Sequence, residues 1–184
     1  HLLIFTRYRR AARGLFRGLC QRLGGCARAA LVTGETARAT GLGRTSVDEI
    51  LRRFAPQSYG VGRLPVHQQI RIVVCTDCLS EGVNLQDCGH VVLADLPYSA
   101  LVVEQRVGRL VRPGSPHETV HVYLPRPENW SDTLGLRRRL ERKMAQAERT
   151  GAGFTATGPD IWESYEWTAP GGDEGSEGEG RCTT

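Results

Sequence analysis

Two arginines in the second half of the chain have a spacing that suits phosphate chemistry. Arg109 and Arg112 lie three residues apart within residues 104–112, and a helix would place both side chains on nearly the same face. Arginine stays charged at working pH and offers a planar fork of N–H donors. Two such forks could clamp phosphate oxygens and stabilise the charge that develops on a phosphoryl group during its transfer. A solvated basic helix face is the alternative interpretation.

A second segment with suitable chemistry precedes this one. Residues 76–86 directly follow an apolar, β-branched run, and they include Ser80, Gly82 and Asn84. Small and polar residues after a strand let the backbone approach a phosphate or sugar closely. An ordinary strand-to-loop crossing would contain the same residue types, so this segment alone leaves the function open.

Alternating strands and helices are predicted to position both segments. Apolar runs predict strands, and apolar residues at helical spacing predict helices. The predicted strands cover residues 2–6, 27–33, 70–76, 90–96 and 119–124, and the predicted helices cover 7–23, 47–54, 99–111 and 131–149. This order predicts an α/β fold with a mostly parallel sheet and helices on both faces. Ligands of such sheets bind at the carboxyl ends of the strands.

The charge distribution suggests a polyanionic partner. The formal net charge is +4, and residues 170–184 contribute −3 to it, so the rest of the chain carries +7. A basic surface favours nucleic acid. Every basic residue except Lys143 is arginine, and a GC-rich genome would produce the same bias. Composition alone therefore leaves both explanations open.

The six cysteines indicate metal or redox chemistry only weakly. Cys75 and Cys78 form one Cys-x-x-Cys pair, but no second pair with matching spacing follows. A structural zinc site needs four ligands. Reduced, mostly buried thiols are therefore expected, and no metal site is predicted.

The two chemical segments together resemble one family. CTDCLSEGVNLQ (75–86), followed by VVLADLPYSALVVEQRVGRLVRPGS (91–115), resembles the second RecA-like motor lobe of superfamily-two helicases and translocases. The pattern is most similar to the Swi/Snf and RapA-type group. The opening LLIFTRY resembles the first strand of that lobe, LVTGET its threonine–glycine element, and SVDEILRRF the helix after it. The resemblance covers residues 2–124 and implies a RecA-like three-layer sandwich.

The resemblance implies roles for individual residues. Arg109 and Arg112 would reach the γ-phosphate of ATP bound mainly by another lobe, with Arg112 as the principal finger. The residues expected near the nucleotide are Gln105, Gly108, Gly82 and Asn84. The residues expected to line the nucleic-acid track are Thr6, Arg7, Thr33, Gly34 and Thr76. Hydroxyls and backbone amides suit phosphate contacts, which position a strand without reading its sequence.

Two parts that ATP hydrolysis requires in this family are missing from the chain. The only lysine, Lys143, has no glycine loop before it, so there is no phosphate loop. The pair Asp48–Glu49 lies at a predicted helix start, where Ser46 and Glu49 make a capping box, and so does not supply the acidic pair for Mg²⁺. We expect ATP and Mg²⁺ to be held mainly by an N-terminal RecA-like lobe outside this chain. The isolated chain is expected to be inactive as an ATP hydrolase.

Two alternatives to a motor lobe stay open. One is a non-catalytic RecA-like module that binds nucleic acid or protein. The other is a domain that binds an ordinary dinucleotide, although no Gly-x-Gly-x-x-Gly follows a strand.

The predicted organisation has three parts. Residues 1–149 form the lobe, 150–169 form an extension with some helix, and 170–184 form a disordered, acidic, glycine-rich tail. The chain opens in a strand without an initiator methionine, which suggests a piece of a longer protein. No run reaches the roughly 18 to 20 apolar residues of a membrane span, so a cytoplasmic protein without a membrane partner is expected, with DNA favoured over RNA.

One departure from the family pattern bears on the origin of the protein. The residues after Arg112 are Pro113-Gly114-Ser115, where many Swi/Snf relatives continue with isoleucine, glycine and glutamine. This difference argues against a chromatin-type remodeller. It favours a bacterial or phage origin and leaves a nuclear protein open.

Overall fold

The described part of the chain is built on one large sheet. A computed structural model describes residues 1–24, 28–79, 82–95, 100–110, 115–117, 119–125, 153–156 and 162–168. Its strands are β1 (Leu2–Phe5), β2 (Ala29–Thr33), β3 (Thr36–Ala39), β4 (Gly43–Arg44), β5 (Ile72–Cys75), β6 (His90–Leu93), β7 (Thr119–Pro125), β8 (Gly153–Ala156) and β9 (Trp162–Thr168). Its helices are α1 (Arg9–Leu23), α2 (Val47–Phe54) and α3 (Ala100–Val107), with short 3₁₀ turns at Val66–Gln68 and Asp77–Leu79.

The centre of the sheet is parallel and its two margins are antiparallel. The strand order is β4-β3-β2-β5-β1-β6-β7-β9-β8. The strands from β2 to β7 in that order run parallel to one another. Strands β3 and β4 extend one margin, and β9 and β8 extend the other, by antiparallel pairing. The central strands are short apolar runs, as expected for strands that are covered on both faces.

Helices cover both faces of the sheet. Alternate residues of a strand point to opposite faces, and β1 shows this directly. Leu3 and Phe5 pack in the buried cluster that contains the apolar residues of α2 and α3. Ile4 packs in a second cluster with Ala12 and Phe16 of α1. The predicted three-layer α/β fold with a mostly parallel sheet is confirmed.

Local signals account for the ends of the first two helices. The Ser46 hydroxyl accepts a hydrogen bond from the Glu49 backbone N–H at 3.1 Å, which is the N-cap that the sequence predicts. The Glu49 carboxylate pairs with Arg53 instead of closing the capping box. Helix α1 ends at Gly24, whose φ of 54° is a left-handed conformation that glycine adopts without strain.

Helix α3 is shorter than the sequence pattern predicts. It ends at Val107, and residues 108–110 form a turn. Gly108 has a low helix propensity because its backbone loses more entropy in a helix than other residues do. The prediction of a helix over 99–111 is therefore wrong in its last turn, and Arg109 lies just beyond the helix.

The margins of the sheet contain strands that the sequence did not predict. Strands β3 and β4 form in the polar, glycine-bearing stretch after Gly34. In the extension predicted for residues 150–169, the described residues form β8 and β9, and β9 pairs with β7. The helix predicted for 131–149 and the tail predicted for 170–184 lie outside the described residues. Within the described ranges, no helix has both the length and the apolar character needed to cross a bilayer.

Candidate functional site at the carboxyl edge of the sheet

Polar residues lie side by side at the carboxyl ends of four neighbouring strands. Thr33 ends β2, Thr76 follows β5, Thr6 follows β1, and Asp95 comes two residues after β6. These strands are adjacent in the order β2-β5-β1-β6, so the four residues form a row, called here the strand-end row. These four strands run parallel, so their carboxyl ends lie at one edge of the sheet. Parallel sheets bind their ligands at this edge.

The threonine hydroxyls of this row are used inside the protein. Thr6 is 1% exposed, and its Oγ1 donates to Asp95 Oδ2 at 2.9 Å. Thr33 is 4% exposed, and its Oγ1 accepts a hydrogen bond from the Thr36 backbone N–H at 3.1 Å. These bonds fix the loops that follow β1 and β2, which makes the threonines positioning residues for the loop backbone.

A ligand at this edge would meet exposed neighbours of the threonines. Thr76 is also buried, and its Oγ1 donates to Cys78 Sγ at 3.5 Å. Arg7 and Gly34 are exposed, and a Cβ built on Gly34 would meet nothing within 4 Å. Space is therefore open around the backbone at the end of β2, and a guanidinium lies at the end of β1.

Arg106 is the charged centre of this edge, although the sequence analysis did not select it. Only 3% of its side chain is exposed. Its Nε and Nη2 donate to Asp77 Oδ1 at 2.9 and 2.7 Å, and its Nη1 lies 3.6 Å from Asp95 Oδ1. Its Cζ lies 5.2 Å from the centroid of the Phe5 ring. One buried guanidinium thus connects α3 to the ends of β1, β5 and β6.

The burial of Arg106 follows from its position on α3. Val103 and Val107 are at most 1% exposed, and their spacing of i, i+4 marks the inward face of α3, which Arg106 shares. A buried charge is costly unless it is paired, and the two aspartates provide the pairing. The sequence does contain a signal for this residue, because Arg106 is the first of three arginines spaced by three.

The loop of residues 82–86 meets the turn after α3. Leu85 N–H donates to the Arg109 carbonyl at 3.2 Å. Gly82 has a φ of 71°, so a side chain there would strain the backbone. Asn84 Oδ1 is buried and has no hydrogen-bond partner among the described residues, so it can accept a hydrogen bond from a bound ligand. The structure therefore places the loop that contains Gly82 and Asn84 against the Arg109 carbonyl through Leu85, while Gln105 is exposed on α3.

The residues that flank Arg112 are attached to the same loop. Arg112 itself lies outside the described residues, within 111–114. Before it, the Arg109 carbonyl accepts a hydrogen bond from Leu85; after it, the Ser115 hydroxyl donates to the Gln86 carbonyl at 3.3 Å. Both ends of the four-residue connection are therefore held next to the loop.

A buried aspartate anchors this loop to the neighbouring helix. Asp87 is 7% exposed. Its carboxylate accepts hydrogen bonds from the Gln57 and Ser58 backbone N–H groups at 2.7 and 2.9 Å, and from the Ser58 hydroxyl. Three donors satisfy the charge that burial would otherwise make unfavourable. The loop that carries Asn84 is thus fixed to the turn after α2.

Four cysteines of the described residues are free thiols. Cys20, Cys75, Cys78 and Cys88 form no disulfide. Burial raises the pKa of Cys75 well above its ordinary value, and it raises the pKa of Cys88 to about 11, whereas Cys78 is exposed. In the part of the chain that the structure covers, no three His, Cys, Asp or Glu side chains are grouped so as to hold a metal ion.

Alkylation rates should separate these thiols. The thiolate is the reactive form, and a pKa near 11 in place of 9.0 reduces its population about a hundredfold at pH 8. With iodoacetamide, Cys78 is expected to react first, and Cys75 and Cys88 at least about a hundred times more slowly, as followed by peptide mass spectrometry. In urea all three should react at similar rates. If mild oxidation instead makes both Cys75 and Cys78 unreactive by joining them in a disulfide, the two thiols form a redox pair.

Comparison with known protein families identifies the domain that contains this edge. Residues 1–114 of the 184 match the helicase conserved C-terminal domain. The chain belongs to this family. The strand-end row, the loop of residues 82–86 and Arg109 all lie within the match. The resemblance to the second RecA-like lobe of superfamily-two helicases is therefore confirmed.

This helicase C-terminal domain is similar to segments of much longer proteins. It is 40% identical over 55 residues to the ATP-dependent helicase YqhH of Bacillus subtilis (strain 168), which covers 30% of this chain and 10% of YqhH. It is 35% identical over 82 residues to the RNA polymerase-associated protein RapA of Pseudomonas aeruginosa (strain LESB58), which covers 45% of this chain and 8% of RapA. The chain spans about a tenth or less of the curated relatives that it matches.

A solved structure supports the fold of the helicase C-terminal domain. The crystal structure of the C-terminal part of the Fun30 ATPase domain superposes with a TM-score of 0.53 at 17% identity, covering 76% of this chain and 38% of that one. At this identity the likeness concerns the fold. It identifies the three-layer arrangement as RecA-like, as the sequence predicts.

Proposed function

We propose that this chain is the second motor lobe of an ATP-dependent nucleic-acid helicase or translocase. In this function, one part of the carboxyl edge grips a nucleic-acid backbone and another part completes an ATP pocket. ATP and Mg²⁺ are held mainly by a first RecA-like lobe, which supplies the phosphate loop and the acidic pair. This chain contributes half of an active site.

One observation supports this proposal most strongly: the two loops that such a motor must couple are in direct contact. The Leu85 N–H bonds to the Arg109 carbonyl, and the Arg106 guanidinium bonds to Asp77. The segment after β5 and the segment that carries the arginines are therefore one mechanical unit. Movement of either segment is transmitted to the other, because the hydrogen bonds between them are short and the Arg106 side chain is buried.

On the nucleotide side, arginines supply the charge that phosphoryl transfer needs. Arg112 is the proposed finger on the γ-phosphate, and Arg109 supports it from the turn after α3. Each guanidinium can donate to oxygens of the transferred group while negative charge develops on them. Gln105, one turn before Arg109, orients the helix at the cleft, and Gly108 lets the backbone approach the ligand.

ATP fits the polar groups that the edge presents. The Asn84 Oδ1 has no hydrogen-bond partner among the described residues, and a ribose hydroxyl can donate to it. No atom of the described residues beyond its chain neighbours lies within 4 Å of a Cβ built on Gly82, which leaves room for a ligand at that backbone. The nucleotide supplies the γ-phosphoryl group whose transfer to water drives the motor.

On the nucleic-acid side, the strand-end row contacts phosphates. The residues assigned to this track are Thr6, Arg7, Thr33, Gly34 and Thr76. The buried threonines hold the loop backbones in place, and exposed Arg7 and the open backbone at Gly34 make the contacts. Such contacts position a strand without reading its sequence, and DNA is the proposed substrate.

Asp95 provides the proposed link between the two sides. It accepts hydrogen bonds from the Thr6 hydroxyl and the Arg7 backbone N–H, and it faces the Arg106 guanidinium at 3.6 Å. A shift of α3 when ATP binds or leaves would therefore move the loop after β1, which holds the strand. This coupling is how nucleotide turnover becomes motion along a nucleic acid.

The full chain is expected to bind single-stranded DNA in a salt-dependent manner and to release no phosphate from ATP alone. Each phosphate contact contributes about 0.7 to the slope of log K against log salt for a single strand, so Arg7→Ser should lower that slope by about 0.7. Fluorescence anisotropy with a labelled oligonucleotide measures the slope, and a phosphate-release assay measures turnover.

The matched control for this experiment is Arg63→Ser. Arg63 is exposed in the connection between α2 and β5. Its loss removes the same charge and should leave the slope unchanged. An equal effect of both substitutions would contradict the assigned track. Robust phosphate release by the chain alone would contradict the divided active site.

A further inference from the structure

A basic cavity on the flank of the sheet lies apart from the site described above. Its volume is about 580 Å³, and it opens between α1 and the β3–β4 hairpin. Phe16, Leu31 and Cys20 contribute apolar surface to it, and Arg13, Arg17 and Arg38 line it with charge. The proposed motor function assigns no role to these residues.

The arginines of α1 lie at positions where their charges lower the stability of the helix. Arg9, Arg13 and Arg17 follow one another at i, i+4, so like charges face each other along one side of the helix. The first turn contains no acidic residue, although the helix N-terminus favours negative charge. A stripe of this kind is stabilised by an anion that lies along it.

The hairpin adds arginines to the same face. Arg38 of β3 and Arg44 of β4 are directly paired across the two strands, so their side chains share a face and repel each other. Arg38 is also paired with Leu31 of β2, which packs on the α1 side of the sheet. Arg44 therefore belongs to the α1 side as well. We call Arg13, Arg17, Arg38 and Arg44 the flank patch.

Most of this charge is not neutralised within the described residues. Glu35 pairs with Arg9 and with Arg13, the latter at 3.3 Å, so one carboxylate serves two arginines. Arg17, Arg38 and Arg44 form no ion pair in the described part of the chain. The Arg38 guanidinium lies 5.9 Å from the Phe16 ring centroid, and a guanidinium held over a ring keeps its N–H edge free for phosphate.

We propose that the flank patch is a second phosphate-binding surface, which holds the backbone of the same nucleic acid beyond the strand-end row. This inference rests on the proposed function. Continuity supports it, because α1 begins two residues after Arg7 and Glu35 follows Gly34 directly. The basic stripe therefore starts where the strand-end row reaches this margin of the sheet.

A nucleic-acid backbone fits this surface better than an acidic peptide does. Arginines at i, i+4 repeat about every 6 Å along a helix axis, and a phosphodiester backbone presents one negative charge per nucleotide at regular intervals along such a stripe. The flank patch also continues the proposed nucleic-acid track of the strand-end row. A nucleic acid that crosses the row can extend onto the patch, whereas a site for an acidic peptide does not require this continuity. The test below distinguishes a nucleic acid from an acidic polypeptide as the ligand of this surface.

The test uses the full chain with the double variant Arg17→Ser/Arg38→Ser. Both side chains are exposed, and circular dichroism with thermal melting checks that the fold is intact. Anisotropy is measured against salt for a single-stranded DNA of about six nucleotides, near the lower end of site sizes for single-strand grooves, and one of about twenty. The control Arg63→Ser/Arg71→Ser removes the same charge from exposed positions elsewhere.

The double variant should lower the salt slope by about 1.4 for the long oligonucleotide, from two lost contacts, and leave the short one unchanged. An unchanged slope with the long oligonucleotide would overturn the flank patch and leave the strand-end row standing. Equal losses with both lengths, or with the control, would also overturn it. Competition by polyglutamate without a change in DNA slope would assign the surface to an acidic protein. If Arg7→Ser has no effect on the salt slope, the proposed contacts at the strand-end row are wrong. The flank patch is then tested by the salt slope of Arg17→Ser/Arg38→Ser alone.

Discussion

ATP turnover is expected to fall by about 10³ to 10⁵ when Arg112 is replaced by alanine in a protein that joins this lobe to its nucleotide-binding lobe. A guanidinium finger stabilises charge that is present in the transition state and absent from the ground state. The loss should therefore appear in kcat, with little change in KM for ATP. Steady-state phosphate release at saturating DNA measures both constants.

Three further variants make the Arg112 prediction specific. Arg112→Lys keeps the charge and loses the planar fork, so it should recover only part of the turnover. Arg109→Ala should have a smaller effect than Arg112→Ala, because Arg112 is the proposed finger. Arg63→Ala, at an exposed arginine in the connection between α2 and β5, should be neutral. DNA binding should persist in Arg112→Ala, and its loss in parallel with turnover would indicate a structural role instead.

The free energy of unfolding is expected to fall by about 3 kcal/mol when Asp77 is replaced by asparagine. Among the described residues, the substitution leaves the buried Arg106 guanidinium with Asp95, at 3.6 Å, as its one anionic partner. Removing one partner of a buried ion pair costs about 3 to 5 kcal/mol. The low end applies because 48% of the Asp77 side chain is exposed and solvent screens part of the interaction. Urea denaturation measures the change.

A surface ion pair of the same type provides the control. Asp48 accepts from Arg52 Nε at 2.7 Å, and the side chains are 63% and 50% exposed. Asp48→Asn should therefore leave the free energy of unfolding nearly unchanged. Combining Asp77→Asn with Arg106→Met should recover part of the lost stability, because no buried charge is then left unpaired. If Asp77→Asn and Asp48→Asn change the free energy of unfolding equally little, the ion pairs of Arg106 do not stabilise the packing of α3 on the strand ends.

Most of the central sheet could be predicted from the sequence, because each central strand is an apolar run. Residues 2–6, 70–76 and 119–124 were predicted as strands, and they correspond to β1, β5 and β7. The hairpin of β3 and β4 was missed because its residues are polar on one side and interrupted by glycine. Strand β3 forms by pairing with β2, and β4 by pairing with β3; such pairing is a tertiary contact and leaves no strong pattern in a short segment.

The candidate site was predicted in part. The sequence pointed to the two segments, and the structure joins them through the bond between Leu85 and Arg109. The threonines were expected to offer their hydroxyls to phosphate, but those hydroxyls are buried and bonded within the protein. Their role in nucleic-acid binding stays a prediction, now through the loops that they hold.

The sequence by itself determined the fold class and the family, because strand periodicity and motif order are properties of local segments. It also selected Arg109 and Arg112 as the phosphate-facing pair, a role that is still to be measured. Only the tertiary structure decided that Arg106 is the buried arginine. Its partner Asp77 is 29 residues away in sequence, and burial and charge pairing depend on which strands and helices pack together in space.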